Sequence, residues 1–76
     1  MNSIDRFFRI KRKDIVFMKF ILEAYEGMST LSTVTSKFGK DESIVKLTIP
    51  DPFNRDISEL ISSLREEFEV NEVRPV

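Results

Sequence analysis

Residues 14–27, DIVFMKFILEAYEG, decide the fold. Asp14 is placed to cap the first free amides of a helix with its carboxylate, and Gly27 to take the left-handed conformation that ends one. Of the twelve residues between them only Lys19, Glu23 and Glu26 are charged, and their spacing of four and three sets them on one narrow stripe. Ile15, Val16, Phe17, Met18, Phe20, Ile21, Leu22, Ala24 and Tyr25 fill the rest of the surface. A helix lying on a single sheet needs an apolar arc of roughly 100° or a little more. This one is apolar over most of its circumference, so something besides its own sheet is expected to cover it. IVFMKFIL also reads as a buried strand, but the length and the marks at both ends favour the helix.

Upstream, residues 1–4 read as a loose start and residues 6–12, RFFRIKR, as a strand. Alternation puts Phe8 and Ile10 on one face and Phe7, Arg9 and Lys11 on the other. Downstream, residues 28–36, MSTLSTVTS, read as a half-exposed strand, and residues 37–43 as a turn around Gly39. Residues 44–49, IVKLTI, carry the clearest strand pattern, with Val45, Leu47 and Ile49 opposed to Ile44, Lys46 and Thr48. Pro50-Asp51-Pro52 then stops the chain and predicts a second helix over 52–68. Asp51 is its expected cap and Pro52 its first residue, where the missing amide costs nothing. Phe53, Ile57, Leu60, Ile61, Leu64 and Phe68 recur at helical spacing on one side, so this helix needs one covering layer only. Residues 70–76, VNEVRPV, read as a short last strand, with Pro75 tolerable near the end of an edge.

The order β-α-β-β-α-β predicts one α+β domain over residues 1–76. Right-handed crossovers make it a ferredoxin-like sandwich, an antiparallel sheet of order 4-1-3-2 with both helices on one face. The two central strands carry the apolar rows, and the two edges carry the polar residues and the proline. The expected core is Phe8, Ile10, Val45, Leu47, Ile49, Ile57, Leu60, Ile61, Leu64 and Phe68 with part of the first helix, which also turns Ile15, Met18, Leu22 and Tyr25 to the sheet.

A 76-residue chain hides only about 60–65% of its unfolded surface, so its stability is marginal without an added device. Cysteine is absent, which removes disulfides and thiolate metal cages and leaves oligomerisation as the remaining common device. The same absence fits a reducing cytoplasm. No apolar run approaches the roughly 18–20 residues of a membrane span, and the charges in the first fourteen residues argue against a secretion signal. Charged residues are 33% and the net charge is -1, a balance with no global pull toward nucleic acid.

Histidine is also absent. The usual neutral-pH general base and the usual thiol nucleophile are therefore missing, and neither an enzyme nor a cofactor is expected. Lys11, Arg12 and Lys13 stand where the amides of the first helix emerge, a candidate anion site; the plain alternative is three solvated side chains beside a helix end that Asp14 occupies. Lys19, Glu23 and Glu26 read as a solvent stripe in preference to metal ligands. The open sheet face is expected to hold Phe7, Arg9, Lys11, Thr30, Ser32, Lys46 and Thr48. RNA-recognition modules use that face with aromatics on both central strands. Here Phe7 is the single aromatic, so Phe7, Arg9, Lys11, Arg12, Lys13 and Lys46 are the candidate contacts of a weak RNA site only.

The run RKDIVFMKFILEAYEGMSTLSTV, then a short apolar strand ending in Ile49-Pro50 and an amphipathic helix, resembles a family of small bacterial domains of unknown function. The likeness spans roughly residues 9–68 and is most specific at residues 20–27, FILEAYEG. It implies a ferredoxin-like fold and transfers no activity. A more distant likeness is to the ACT regulatory domains, which share the element order and bind amino acids between paired domains. Their loop before the first helix carries a glycine that lets the backbone approach the ligand. Lys11-Arg12-Lys13-Asp14 has none, so the resemblance implies the architecture and leaves the ligand site behind. The acylphosphatases of this fold likewise have a glycine-containing phosphate loop that this chain lacks.

The resulting expectation is a non-enzymatic, self-associating module, a homodimer or larger, with a regulatory or small-ligand role and no metal or cofactor. Val16, Phe17 and Phe20 are the expected association residues, because the sheet and one neighbouring helix cannot cover them. The alternative is weak binding of single-stranded RNA on the open sheet face.

Overall fold

The computed structural model describes residues 2–25, 29–38 and 41–74, with backbone alone over 35–38. Gly27, Glu26, Met28, Gly39 and Pro75, which the sequence reading used as a helix stop, a stripe member, a strand start, a turn and an edge mark, lie outside them. Strands β1 (Ser3–Lys11), β2 (Thr30–Phe38), β3 (Glu42–Pro50) and β4 (Val70–Val73) alternate with helices α1 (Arg12–Glu23) and α2 (Asn54–Leu64), the second entered through a 3-10 turn at Asp51–Phe53. The sheet order is β2-β3-β1-β4, and every pairing is antiparallel. This is the predicted ferredoxin-like α+β arrangement, read from its other edge.

β1 and β3 pair along their full length, from Ser3↔Pro50 to Lys11↔Glu42. The even residues of β1 and odd residues of β3 face the helices. Phe8, Ile10, Val45, Leu47 and Ile49 are all buried there, against Met18 and Leu22 of α1 and Ile57, Ile61 and Leu64 of α2. Val70 of β4 joins them. Leu60 and Phe68, expected in the core, are half-buried at its border, and Tyr25 is exposed where the sequence reading turned it to the sheet.

Both helix starts differ from the prediction. β1 stays extended to Lys11, and α1 begins at once, so Asp14 falls on the third helical residue and makes no cap. The first amide is satisfied instead by a loop: Arg12 N donates to the Asp41 carbonyl at 2.7 Å. Asp14 can still favour the helix dipole from the first turn. Asp51 does not cap α2 either. It opens the 3-10 turn, with its own amide donating to the Asn2 carbonyl at 2.9 Å. The prolines on either side hold the chain in that tighter turn before the α-helix can start. Both helices also stop early. The Ala24 and Tyr25 amides bond three residues back, to Ile21 and Leu22, which tightens α1 and ends it at Glu23. α2 gives way after Leu64 to turns that swing Phe68 back onto the core border.

β2 is less regular than the other long strands. Its pairing with β3 shifts register between Thr33 and Thr35 and again between Thr35 and Phe38. Val34, at the first shift, is 44% exposed.

Candidate functional site

The outer face of α1 is the largest departure from a simple two-layer sandwich. Met18 and Leu22 point into the core, with Ile15 and Ile21 beside them. On the opposite side Val16 is 76% exposed, Phe20 69% and Phe17 45%. Val16 and Phe20 are one turn apart and so adjacent on the surface. The Phe17 ring is edge-on to Phe68, in the turns that follow α2, with centroids 5.8 Å apart. All three expected association residues are therefore on one exposed apolar stripe, with Lys13 at one end and Glu23 at the other, both exposed.

The open sheet face carries the other candidates. The register sets Phe7 directly across from Lys46, with Ser32 on the far side of Lys46 and Val73 on the far side of Phe7. Ser32, Lys46, Phe7 and Val73 thus form one row across all four strands. Thr30 and Thr48 face each other one step along. Arg9 stands across from Ile44, and Lys11 from Glu42. Acids temper this face. Glu42 Oε2 is 3.9 Å from Arg9 Nε, close enough for attraction but too far for a hydrogen bond, and Arg9 Nε has no hydrogen-bond partner among the described residues. Asp5 accepts a bond from Thr48 Oγ1 at 3.0 Å. Ile44 shares the phase of Lys46 and Thr48 on this side, yet it is 1% exposed while lying outside the core cluster. The long stem of Arg9 across the strand is a natural cover for it.

Lys11, Arg12 and Lys13 do come together, lining with Asp41 an open concavity of about 400 Å³ at the start of α1. Its electrostatics are weaker than three cations at a helix end suggest. The Arg12 amide is taken by Asp41, the Arg12 Nε donates to Ser43 Oγ at 3.4 Å, and the Asp41 side chain brings a negative charge.

One polar cluster escaped the sequence reading. Arg6 lies in the core-facing phase of β1, with its side chain 17% exposed. It donates to both carboxylate oxygens of Glu72, to Asn54 Oδ1 at 3.1 Å and to Ser58 Oγ at 2.7 Å, and its guanidinium sits 5.5 Å from the Phe8 ring centroid. The Glu72 hydrogen bond chiefly holds the Arg6 guanidinium above its ordinary pKa, against burial, and the reciprocal bond holds the Glu72 carboxyl below its own. The signal was a cation in phase with Phe8 and Ile10, which needs partners when buried. With its donors engaged, the cluster is a clamp joining β1, β4 and α2.

A family model for a domain of unknown function, DUF4911, matches residues 8–67. The chain belongs to the DUF4911 family. No curated protein and no solved structure matches it. The DUF4911 match includes α1 with its exposed stripe and the Lys11–Lys13 corner. It stops short of Phe7, Arg6 and the whole of β4, so the Arg6–Glu72 pair and the Phe7 end of the open face lie outside it, while Asn54 and Ser58 of the clamp lie within. The family description assigns no chemistry. No helix among the described residues is long and apolar enough to cross a membrane.

Proposed function

We propose that this domain is a non-catalytic association module of the reducing cytoplasm, working through the outer face of α1 in a regulatory assembly. The observation that carries the reading is the exposure of Val16 and Phe20, 76% and 69%, side by side on a helix whose inner face is already fully used. Each large apolar side chain moved from water into an interface is worth about 1.5–3 kcal/mol, so leaving this stripe bare is costly for a small domain. A chain without histidine or cysteine supports the non-catalytic part. Light scattering at tens of micromolar protein tests it: the expected mass is at least twice 8.9 kDa, and Phe20→Asp returns folded protein to the single-chain mass. A wild-type chain that stays a folded monomer at high concentration overturns the reading.

The row Ser32, Lys46, Phe7 and Val73 favours one second reading, a weak site for single-stranded RNA. It offers one aromatic stacking surface beside one cation. Glu42 and Asp5 on the same face weigh against a phosphate backbone, and β3 offers no second ring.

A further inference from the structure

We propose that the partner of α1 is a second copy of this chain, docked antiparallel, with Lys13 of each copy against Glu23 of the other. The proposal rests on the association reading and adds its occupant and its register.

The stripe is symmetric about Met18. Val16 and Phe20 stand two residues to either side of it, and Lys13 and Glu23 five residues to either side. In an antiparallel pair crossing at Met18, Val16 meets the partner's Phe20. Lys13 and Glu23, each about 7.5 Å along the axis from the crossing, meet their opposites at both ends. A two-fold interface demands this reciprocity, because each residue must fit its counterpart in both directions. A parallel pair instead sets Lys13 on Lys13 and Glu23 on Glu23.

The second observation is that both charges are misplaced within their own helix. A helix favours negative charge at its start and positive charge at its end. Lys13 is in the first turn of α1, Glu23 is its last residue, and no basic residue occupies the last turn. Neither forms a salt bridge among the described residues, and the i,i+4 arrangement of Lys19 before Glu23 is the weaker orientation. An antiparallel copy reverses the situation. It brings its carboxylate and the negative end of its helix to Lys13, and its ammonium and positive helix end to Glu23.

The test is charge exchange, read as the dimer dissociation constant by sedimentation. Lys13→Glu and Glu23→Lys alone should each weaken dimers roughly tenfold, since each turns two attractions into two repulsions. The chain carrying both changes should regain wild-type affinity, and an equimolar mixture of the two single variants should form mixed dimers. Circular dichroism supplies the control, because each single change suits the dipole of α1 and should preserve or strengthen its helix while weakening the dimer. If either unfolds the chain, Lys13→Gln and Glu23→Gln remove the charge without reversing it and should weaken dimers two- to threefold, again by about the strength of surface pairs. If Phe20→Asp dissociates the dimer while the charge exchanges have no effect or fail to compensate, the antiparallel register is overturned and the association reading stands. A wild-type monomer overturns both.

Discussion

Arg6 on β1 and Glu72 on β4 form a two-pronged pair, with Arg6 Nε to Glu72 Oε2 at 3.0 Å and Nη2 to Oε1 at 2.8 Å. The third nitrogen, Nη1, is bonded to α2 through Asn54 and Ser58. Arg6→Ala should therefore cost about 1–3 kcal/mol in urea unfolding, through lost charge-assisted bonds and polar groups left without a partner. Glu72→Gln should cost less, because Glu72 is 41% exposed and water screens its charge.

The same pair sets an acid dependence. The Arg6 hydrogen bond, opposed by burial and aided by the charges of Arg6 and Arg65, keeps the Glu72 carboxyl below its ordinary pKa in the folded chain. The unfolded chain then binds the proton first as pH falls. The stabilisation is complete above the ordinary carboxylate pKa and disappears as pH drops through the lower folded value. A pH series of urea midpoints should show a shallower acid loss for Glu72→Gln than for the wild type; equal slopes would assign the acid dependence to other carboxylates.

Ile57→Ala should cost about 2–5 kcal/mol, by lost burial and the cavity left behind. Ile57 is fully buried between α2 and the central strands. A domain of this size can lose most of its stability with that change, so loss of the cooperative thermal transition is also consistent. A cost below about 0.5 kcal/mol would mean that α2 does not rest on the sheet through this residue.

Phe17 and Phe68 should be coupled by about 0.5–1.5 kcal/mol in a double-mutant cycle of alanine variants, the worth of an edge-to-face pair beyond its buried area. Additive effects within the error of the urea midpoints would leave Phe17 free to part from Phe68 and join the proposed interface.

Labelled single-stranded RNA titrated at low and moderate salt should show no salt-dependent binding at micromolar protein. Binding that weakens with salt and is lost in Phe7→Ala would instead favour the open-face reading.

The strand order was legible because the central strands keep a strict alternation: Phe8 and Ile10 against Phe7 and Arg9, Val45 and Leu47 against Lys46 and Thr48. A slip of one residue would turn every side chain over, so such a pattern carries the register with it. Helix ends were less legible. Asp14 and Asp51 are both good caps by composition, but a carbonyl from the distant Asp41 and a proline-bounded 3-10 turn satisfy the amides first. Those partners arrive through tertiary structure, which local spacing does not encode. The exposed stripe could be inferred because α1 has more apolar residues than one sheet can cover. Its symmetry became visible only when the helix was fixed at Arg12–Glu23, which puts Lys13 in its first turn and Glu23 at its last residue. Arg6 needed the β4 register before its partner on that strand could be recognised.

The uneven border of β2 bears on how far assembly can go. A flat edge nine residues long invites the same edge of another chain, and then another, without limit. Here the register slips twice within β2, which bends the strand and breaks the line of donors and acceptors a neighbour would copy. The opposite edge, β4, is only four residues long. Growth of the sheet is thus blunted on both sides, while the exposed apolar stripe sits on a helix, where the proposed two-fold partner would cover it. Pairing of this chain should therefore end at a closed particle of fixed size, where an equally apolar surface on a straight strand edge would lead to fibres.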